Sequence, residues 1–114
     1  MPAKLSTHVL DLTTGQPAAG MQIRLIHDLS DPELLKDVRT NADGRTDAPL
    51  LADGEMKQGQ YSLQFFVRDY FTRQGVPCDF LDVVTVDFHL SDAGASYHVP
   101  LLVTPWSYST YRGS

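Results

Sequence analysis

An all-β sandwich or barrel is the fold class this sequence predicts. Three observations predict it: apolar residues recur mostly with a period of two, turn residues punctuate the chain at short intervals, and one segment alone reads as helix. Residues 4–11 read as a first strand, with Leu5, Thr7 and Val9 on one face and Ser6, His8 and Leu10 on the other. Thr13-Thr14-Gly15-Gln16-Pro17 and Gly20 form a turn-rich connection. Residues 21–28 alternate, Met21, Ile23 and Leu25 against Gln22, Arg24 and Ile26, and make a second strand. Ser30-Asp31-Pro32 breaks the chain, and residues 34–40 form a third strand.

Asn41-Ala42-Asp43-Gly44 is a strong turn signal, because these residue types tolerate the backbone conformations tight turns need. Arg45 follows at once, so its guanidinium belongs to the rim of a loop. Residues 47–51 hold a brief strand and Asp53-Gly54 turns the chain again. Residues 60–67 are a clear strand with Tyr61, Leu63 and Phe65 on one face. Residues 68–74 are the helical candidate, ended by Gly75 and barred from continuing by Pro77. Residues 83–90 alternate as Val84, Val86, Phe88 and Leu90. Asp92-Ala93-Gly94 turns, and residues 97–104 and 107–112 are the last strands, separated by Pro105-Trp106. The count is seven to eight short strands and one short helix, in a single domain over residues 1–114 with no internal repeat and no linker.

The strand over residues 97–104 carries a further inference. Val99, Leu101 and Val103 line one face; His98, Pro100, Leu102 and Thr104 line the other. A half-solvated strand shows polar residues outside. Here Pro100 and Leu102 are apolar, so that face wants a cover, and another subunit is the expected one. The first strand agrees, placing His8 beside Leu10. Two histidines then fall next to leucines on faces that seek a partner.

Bulk properties narrow the function classes. The chain has 114 residues, 42% hydrophobic and 20% charged, with net charge −5. That is ordinary for one globular domain large enough to bury a core without staples. The nine basic residues are scattered, which argues against nucleic acid and against an anionic membrane surface. The one cysteine, Cys78, cannot form an internal disulfide and reads as an incidental thiol. No apolar leader stands at the N-terminus and no stretch approaches the ~20 apolar residues of a membrane helix, so a cytoplasmic location is expected.

Three residues could carry chemistry. His8 and His98 are imidazoles titrating at about 6.5 when unperturbed, able to take a proton from water. Arg45 is a permanent cation suited to a planar, hydrogen-bonding or anionic substrate. Each has an ordinary alternative: a structural histidine, a solvated loop arginine. His27 and His89 read as surface or edge residues. No serine-elbow, cysteine-histidine or phosphate-cradling glycine motif is present, and Gly113 stands isolated. His-x-x-x-His and Cys-x-x-Cys spacings are absent, so no local motif calls for a metal. The C-terminal Trp106, Tyr108 and Tyr111 suggest a docked segment rather than a frayed one, holding Ser114 at a fixed spot.

Four segments resemble those of the 5-hydroxyisourate hydrolases, the transthyretin-related enzyme family. They are Ser6-Thr7-His8-Val9-Leu10-Asp11, Thr40-Asn41-Ala42-Asp43-Gly44-Arg45-Thr46, Tyr97-His98-Val99-Pro100-Leu101-Leu102 and the terminal Tyr111-Arg112-Gly113-Ser114. They occur in the family's order across essentially the whole chain, and the terminal motif separates the hydrolases from transthyretin. The resemblance implies a transthyretin-like sandwich of two four-stranded sheets with one short helix, assembled as a homotetramer, a dimer of dimers, with sites in the channel between dimers. It implies hydrolysis of 5-hydroxyisourate to 2-oxo-4-hydroxy-4-carboxy-5-ureidoimidazoline in urate breakdown, without cofactor or metal. It marks His8, Arg45 and His98 as catalytic and Tyr111 and Ser114 as substrate contacts. Two other readings share the fold: a carrier for a small aromatic ligand, and a structural or adhesion sandwich. A polar, reactive channel disfavours both.

Overall fold

Ten short strands and one helix occur among the described residues of the computed structural model, which describes residues 2–28 and 30–114. Met1 and Leu29, both inside the expected domain, lie outside that description. In chain order the elements are β1 (Leu5–Ser6), β2 (Val9–Asp11), β3 (Gln16–Pro17), β4 (Gln22–His27), β5 (Glu33–Arg39), β6 (Gly59–Phe66), α1 (Val67–Arg73), β7 (Val83–Leu90), β8 (Tyr97–His98), β9 (Leu101–Val103) and β10 (Tyr108–Ser109).

One sheet runs β5-β4-β6-β7 and is antiparallel throughout. Its inward residues are those the alternation selects: Ile23, Leu25, Leu63, Phe65 and Val84 are buried. The other sheet runs β10-β9-β2-β3, and β1-β8 extends it as a two-stranded ladder. Leu5, Val9, Leu101 and Val103 project inward from this second layer and close the core. The helix buries Val67, Tyr70 and Phe71 and leaves its other residues to solvent. Joining β1 to β2 and β8 to β9 across their short interruptions gives the expected eight strands.

Those interruptions have physical causes. Residues 4–8 and 97–101 form one line of parallel hydrogen bonds, with Tyr97, Val99 and Leu101 N–H donating to Lys4, Ser6 and His8 carbonyls at 2.9 Å each. At Val99 the carbonyl takes the Thr7 hydroxyl (2.7 Å), and Pro100 has no N–H to offer. Sequence periodicity reads each run as one strand, and the ladder resolves it as two. Residues 47–51 hold an isolated pairing, Leu51 to Leu5, in place of the expected brief strand. The last strand shortens from residues 107–112 to Tyr108–Ser109.

A buried carboxylate ties the helix to the second sheet. Asp11, 3% exposed, receives the Tyr70 hydroxyl on Oδ2 at 2.9 Å. Its Oδ1 receives the Thr13 amide and hydroxyl at 2.9 and 2.6 Å. Burial, then the hydrogen bond to Asp11 and the Asp11 charge, push the Tyr70 phenol well above its ordinary pKa. The network anchors β2 three residues beyond His8.

Two expectations about single residues change. Pro100 is buried, and its carbonyl accepts the Thr110 hydroxyl at 2.7 Å. Part of the cover expected from another subunit is therefore the chain's own C-terminal segment. Leu10 and Leu102 stay half-buried and side by side in register. His27 is no plain surface residue: its ring stacks on Tyr61 at 4.4 Å and its Nε2 is buried without a hydrogen-bond partner.

Candidate active site

The site is a row of four adjacent chain segments across the outer face of the second sheet. The turn ending at Arg45 comes first, then the strand with Ser6 and His8, then the strand with His98, then the tail at Gly113. Arg45 pairs with His8 across an antiparallel bridge, Ser6 with His98 in the parallel ladder, and His98 with Gly113 in a second antiparallel bridge. Directly paired residues present their side chains to the same face. His8 and His98, on the outward face as the alternation requires, are both half-buried.

Arg45 is held by a built turn. The Asn41 side-chain oxygen accepts the Asp43 and Arg45 amides at 2.9 and 3.2 Å, and Asn41 N–H donates to the Arg45 carbonyl at 2.7 Å. Gly44, at φ 74, carries its carbonyl to the Val9 amide at 2.9 Å. A Cβ on Gly44 would stand 2.5 Å from the Val9 carbonyl oxygen. Glycine is demanded twice here, by φ and by the approach of β2. The result is a cation on a rigid turn with its main chain fastened beside His8, as the turn signal implied.

His98 is held on two sides. Its Nδ1 lies 2.9 Å from the Ser6 hydroxyl. Its main chain exchanges two hydrogen bonds with Gly113, 3.0 Å from its own N–H and 2.6 Å to its own carbonyl. Burial lowers the His98 pKa, and the charges of Arg45, His8 and Lys4 lower it further. The imidazole is thus neutral at neutral pH, the state in which it can accept a proton. A depression of about 180 Å³ opens beside this row, lined by Lys4, Ser6, Thr7, Arg45, Thr46 and Asp47 among others. Among the described residues no three His, Cys, Asp or Glu side chains gather as a metal site.

The structure brings Arg45, His8 and His98 together, with Ser114 following directly on Gly113. It does not bring Tyr111 to them. Tyr111 is 59% exposed and lines a separate opening with Val86, Phe88 and Val99. Val99 points inward, away from the His98 face. His89 lies exposed on β7, as expected of an edge residue. Cys78 is buried, its thiol 3.2 Å from the Leu81 carbonyl, and burial pushes the thiol up. A buried thiol with a raised pKa is poorly nucleophilic, in keeping with the incidental thiol expected. Sequence reasoning missed Ser6 and Gly113. The signal for Ser6 was its place two residues before His8 on the same strand face; for Gly113 there was none in local pattern.

Known proteins resemble this chain over nearly its whole length. A model of the HIUase/Transthyretin family matches residues 5–113. The chain is 52% identical over 113 residues to a 5-hydroxyisourate hydrolase of Deinococcus radiodurans, covering 96% of this chain and 95% of that one. It superposes on the structure of Klebsiella pneumoniae 5-hydroxyisourate hydrolase with TM-score 0.83 at 35% identity, covering 98% and 94% of the two chains. It superposes on sea bream transthyretin in complex with thyroxine with TM-score 0.89 at 24% identity, covering 97% and 95%, a likeness of fold alone. Fold, motif order and matches over nearly the whole length converge: the chain belongs to the HIUase/Transthyretin family.

Proposed function

We propose that this chain hydrolyses 5-hydroxyisourate to 2-oxo-4-hydroxy-4-carboxy-5-ureidoimidazoline, a step of urate breakdown. The observation that carries the reading is the polar row of Arg45, His8 and His98 in a chain similar over nearly its full length to enzymes named for this reaction. A carrier of hydrophobic ligands has no need of two imidazoles and a guanidinium side by side.

The chemistry follows from the groups. Neutral His98, with His8 beside it, orients a water molecule and takes its proton as the oxygen attacks a ring carbonyl. Arg45 stabilises the negative charge gathering on that carbonyl oxygen. The ring C–N bond then breaks, and the departing nitrogen recovers the proton from the imidazolium. General base assistance of this kind contributes about 10²–10⁴ in rate. Ser114 hydrogen-bonds substrate or water at the tail end of the row. Tyr111 contributes to a site only where the C-terminal segment of another copy is supplied. A homotetramer, a dimer of dimers, fits that need and fits the adjacent half-buried Leu10 and Leu102. A cytoplasmic location is proposed with it; among the described residues no helix is long and apolar enough to cross a membrane.

The test generates 5-hydroxyisourate in the cuvette from urate with urate oxidase and follows its ultraviolet decay. Decay far above the spontaneous rate, unaffected by chelator and abolished by His98→Asn, is the expected result. Decay left unchanged by correctly folded protein would refute the hydrolase reading and put the carrier reading first.

A further inference from the structure

We propose that Ser6 and Gly113 are positioning residues that lock the His98 imidazole in one plane and one tautomer, with Nδ1–H donated to the Ser6 hydroxyl and Nε2 left as the proton acceptor. The proposal rests on the reading of His98 as a base of the hydrolysis.

The two contacts grip opposite edges of the ring. Ser6 Oγ meets Nδ1 at 2.9 Å, and Ser6 is itself fixed, since its carbonyl accepts the Val99 amide at 2.9 Å. On the other edge stands Gly113. Its backbone is not in the left-handed region, so φ does not demand glycine there. The ring does: a Cβ on Gly113 would lie 3.0 Å from His98 Cβ, 3.2 Å from Cδ2 and 3.4 Å from Cγ. The tail therefore packs flush against the Cγ–Cδ2 edge. With Nδ1 engaged and Cδ2 covered, Nε2 is the nitrogen left free for water or substrate.

The tautomer follows from what a base must do. When Nε2 takes a proton, both ring nitrogens become donors. A hydroxyl that already accepts from Nδ1–H keeps its bond before and after, without reorganising. In the opposite tautomer Nε2 already holds a proton and cannot accept one, and the bare nitrogen faces the Ser6 hydroxyl instead of the water. The charged and titratable groups bearing on the ring are Arg45, His8 and Lys4; Arg45 and Lys4 are donors only, and His98 Nδ1 already has the Ser6 hydroxyl at 2.9 Å, so a neutral His8 is the one other acceptor among them. The neighbouring Arg112 is turned to the other face, its guanidinium 4.5 Å above the Tyr97 ring.

The first readout is the imidazole ¹⁵N spectrum of the ¹⁵N-labelled, substrate-free protein above the His98 titration. The expected pattern is a protonated Nδ1 and a bare Nε2; the reverse overturns the proposal. The second is kinetic. Ser6→Ala removes a hydrogen bond to a group that becomes charged, so kcat falls roughly 10- to 100-fold with KM little changed. The acid limb of its pH profile moves down, because the imidazolium has lost an acceptor. Ser6→Thr keeps the hydroxyl and restores most of the rate, and Gly113→Ala lowers kcat by displacing the ring. Wild-type kcat and pH profile in Ser6→Ala, or equal damage in Ser6→Thr, would overturn it. The spectrum needs no turnover, so a clamp that fails in an active enzyme is distinguishable from a hydrolase reading that fails with the clamp intact.

Discussion

Replacing Gly44 with alanine tests how the fold fastens Arg45 to the row. Two penalties are readable at this position. Placing an L-residue at φ 74 costs about 1–2 kcal/mol. The new Cβ would meet the Val9 carbonyl oxygen at 2.5 Å, nearly an ångström inside ordinary contact. That oxygen is pinned by the Ala18 amide at 2.9 Å. Relief therefore comes from pulling the turn away and stretching the bond from the Val9 amide to the Gly44 carbonyl. Leaving those groups poorly paired costs about 1–3 kcal/mol. The sum is about 3 kcal/mol, and with a urea slope of about 2 kcal/mol/M the unfolding midpoint falls by about 1.5 M. Gly54 provides the control: its φ is 91, but nothing lies within 4 Å of a Cβ there, so Gly54→Ala carries the backbone strain alone. Urea titration followed by tyrosine and tryptophan fluorescence measures both. In the absence of urea, displacement of Arg45 should lower kcat/KM in Gly44→Ala and leave Gly54→Ala unaffected. Equal midpoints for the two variants would show that the approach of β2 to the turn carries no energetic weight, and the account of how Arg45 is positioned would be wrong.

The pKa of His98, lowered by burial and its basic neighbours, fixes two further outcomes. The kcat/KM profile should rise through a pKa below 6.5 and level off at neutral pH; Arg45→Gln, which removes one of the charges depressing it, should move that limb upward while lowering the plateau. Stability follows the same group: between the folded value and the unfolded value of about 6.5 the unfolded chain binds the extra proton, so stability rises with pH across that window and is lost as pH falls through it. Tyr70→Phe, which withdraws the hydroxyl from the buried Asp11 carboxylate, should cost about 1.5–3 kcal/mol in urea titration while kcat/KM stays near wild type. An unchanged midpoint would show that water takes the hydroxyl's place.

Much of this architecture is legible in local pattern because local pattern causes it. The alternation over Val83–Leu90 marks β7 to the residue, and the same period puts His8 and His98 on the outward face. The Asn41–Gly44 turn is legible because its residues bond to one another. Other features depend on partners far along the chain. The split of the first strand hangs on the Thr7 hydroxyl reaching Val99. The role of Ser6 hangs on His98, 92 residues away. Gly113 reads as an idle glycine until the His98 ring is laid across it. The fate of Pro100 depends on Thr110, and that of Tyr111 on which face the tail presents, neither of which a period of two encodes.

The flanking of His98 by Ser6 on one side and Gly113 on the other also sets an order of events. Synthesis delivers Ser6 first, His98 92 residues later and Gly113 after that, so the first strand must wait for the ring it will hold. The antiparallel sheet of β4 to β7 joins neighbours in sequence and can form meanwhile; the parallel pairing of β1 with β8 closes a long loop and comes slowly. A nascent or truncated chain can thus acquire much of its core with no working centre at all. Activity then reports the pairing of the segments at Ser6, His98 and Gly113, whereas a structural probe of the β4–β7 sheet reports an earlier stage, and the lag between the two signals during refolding measures that pairing.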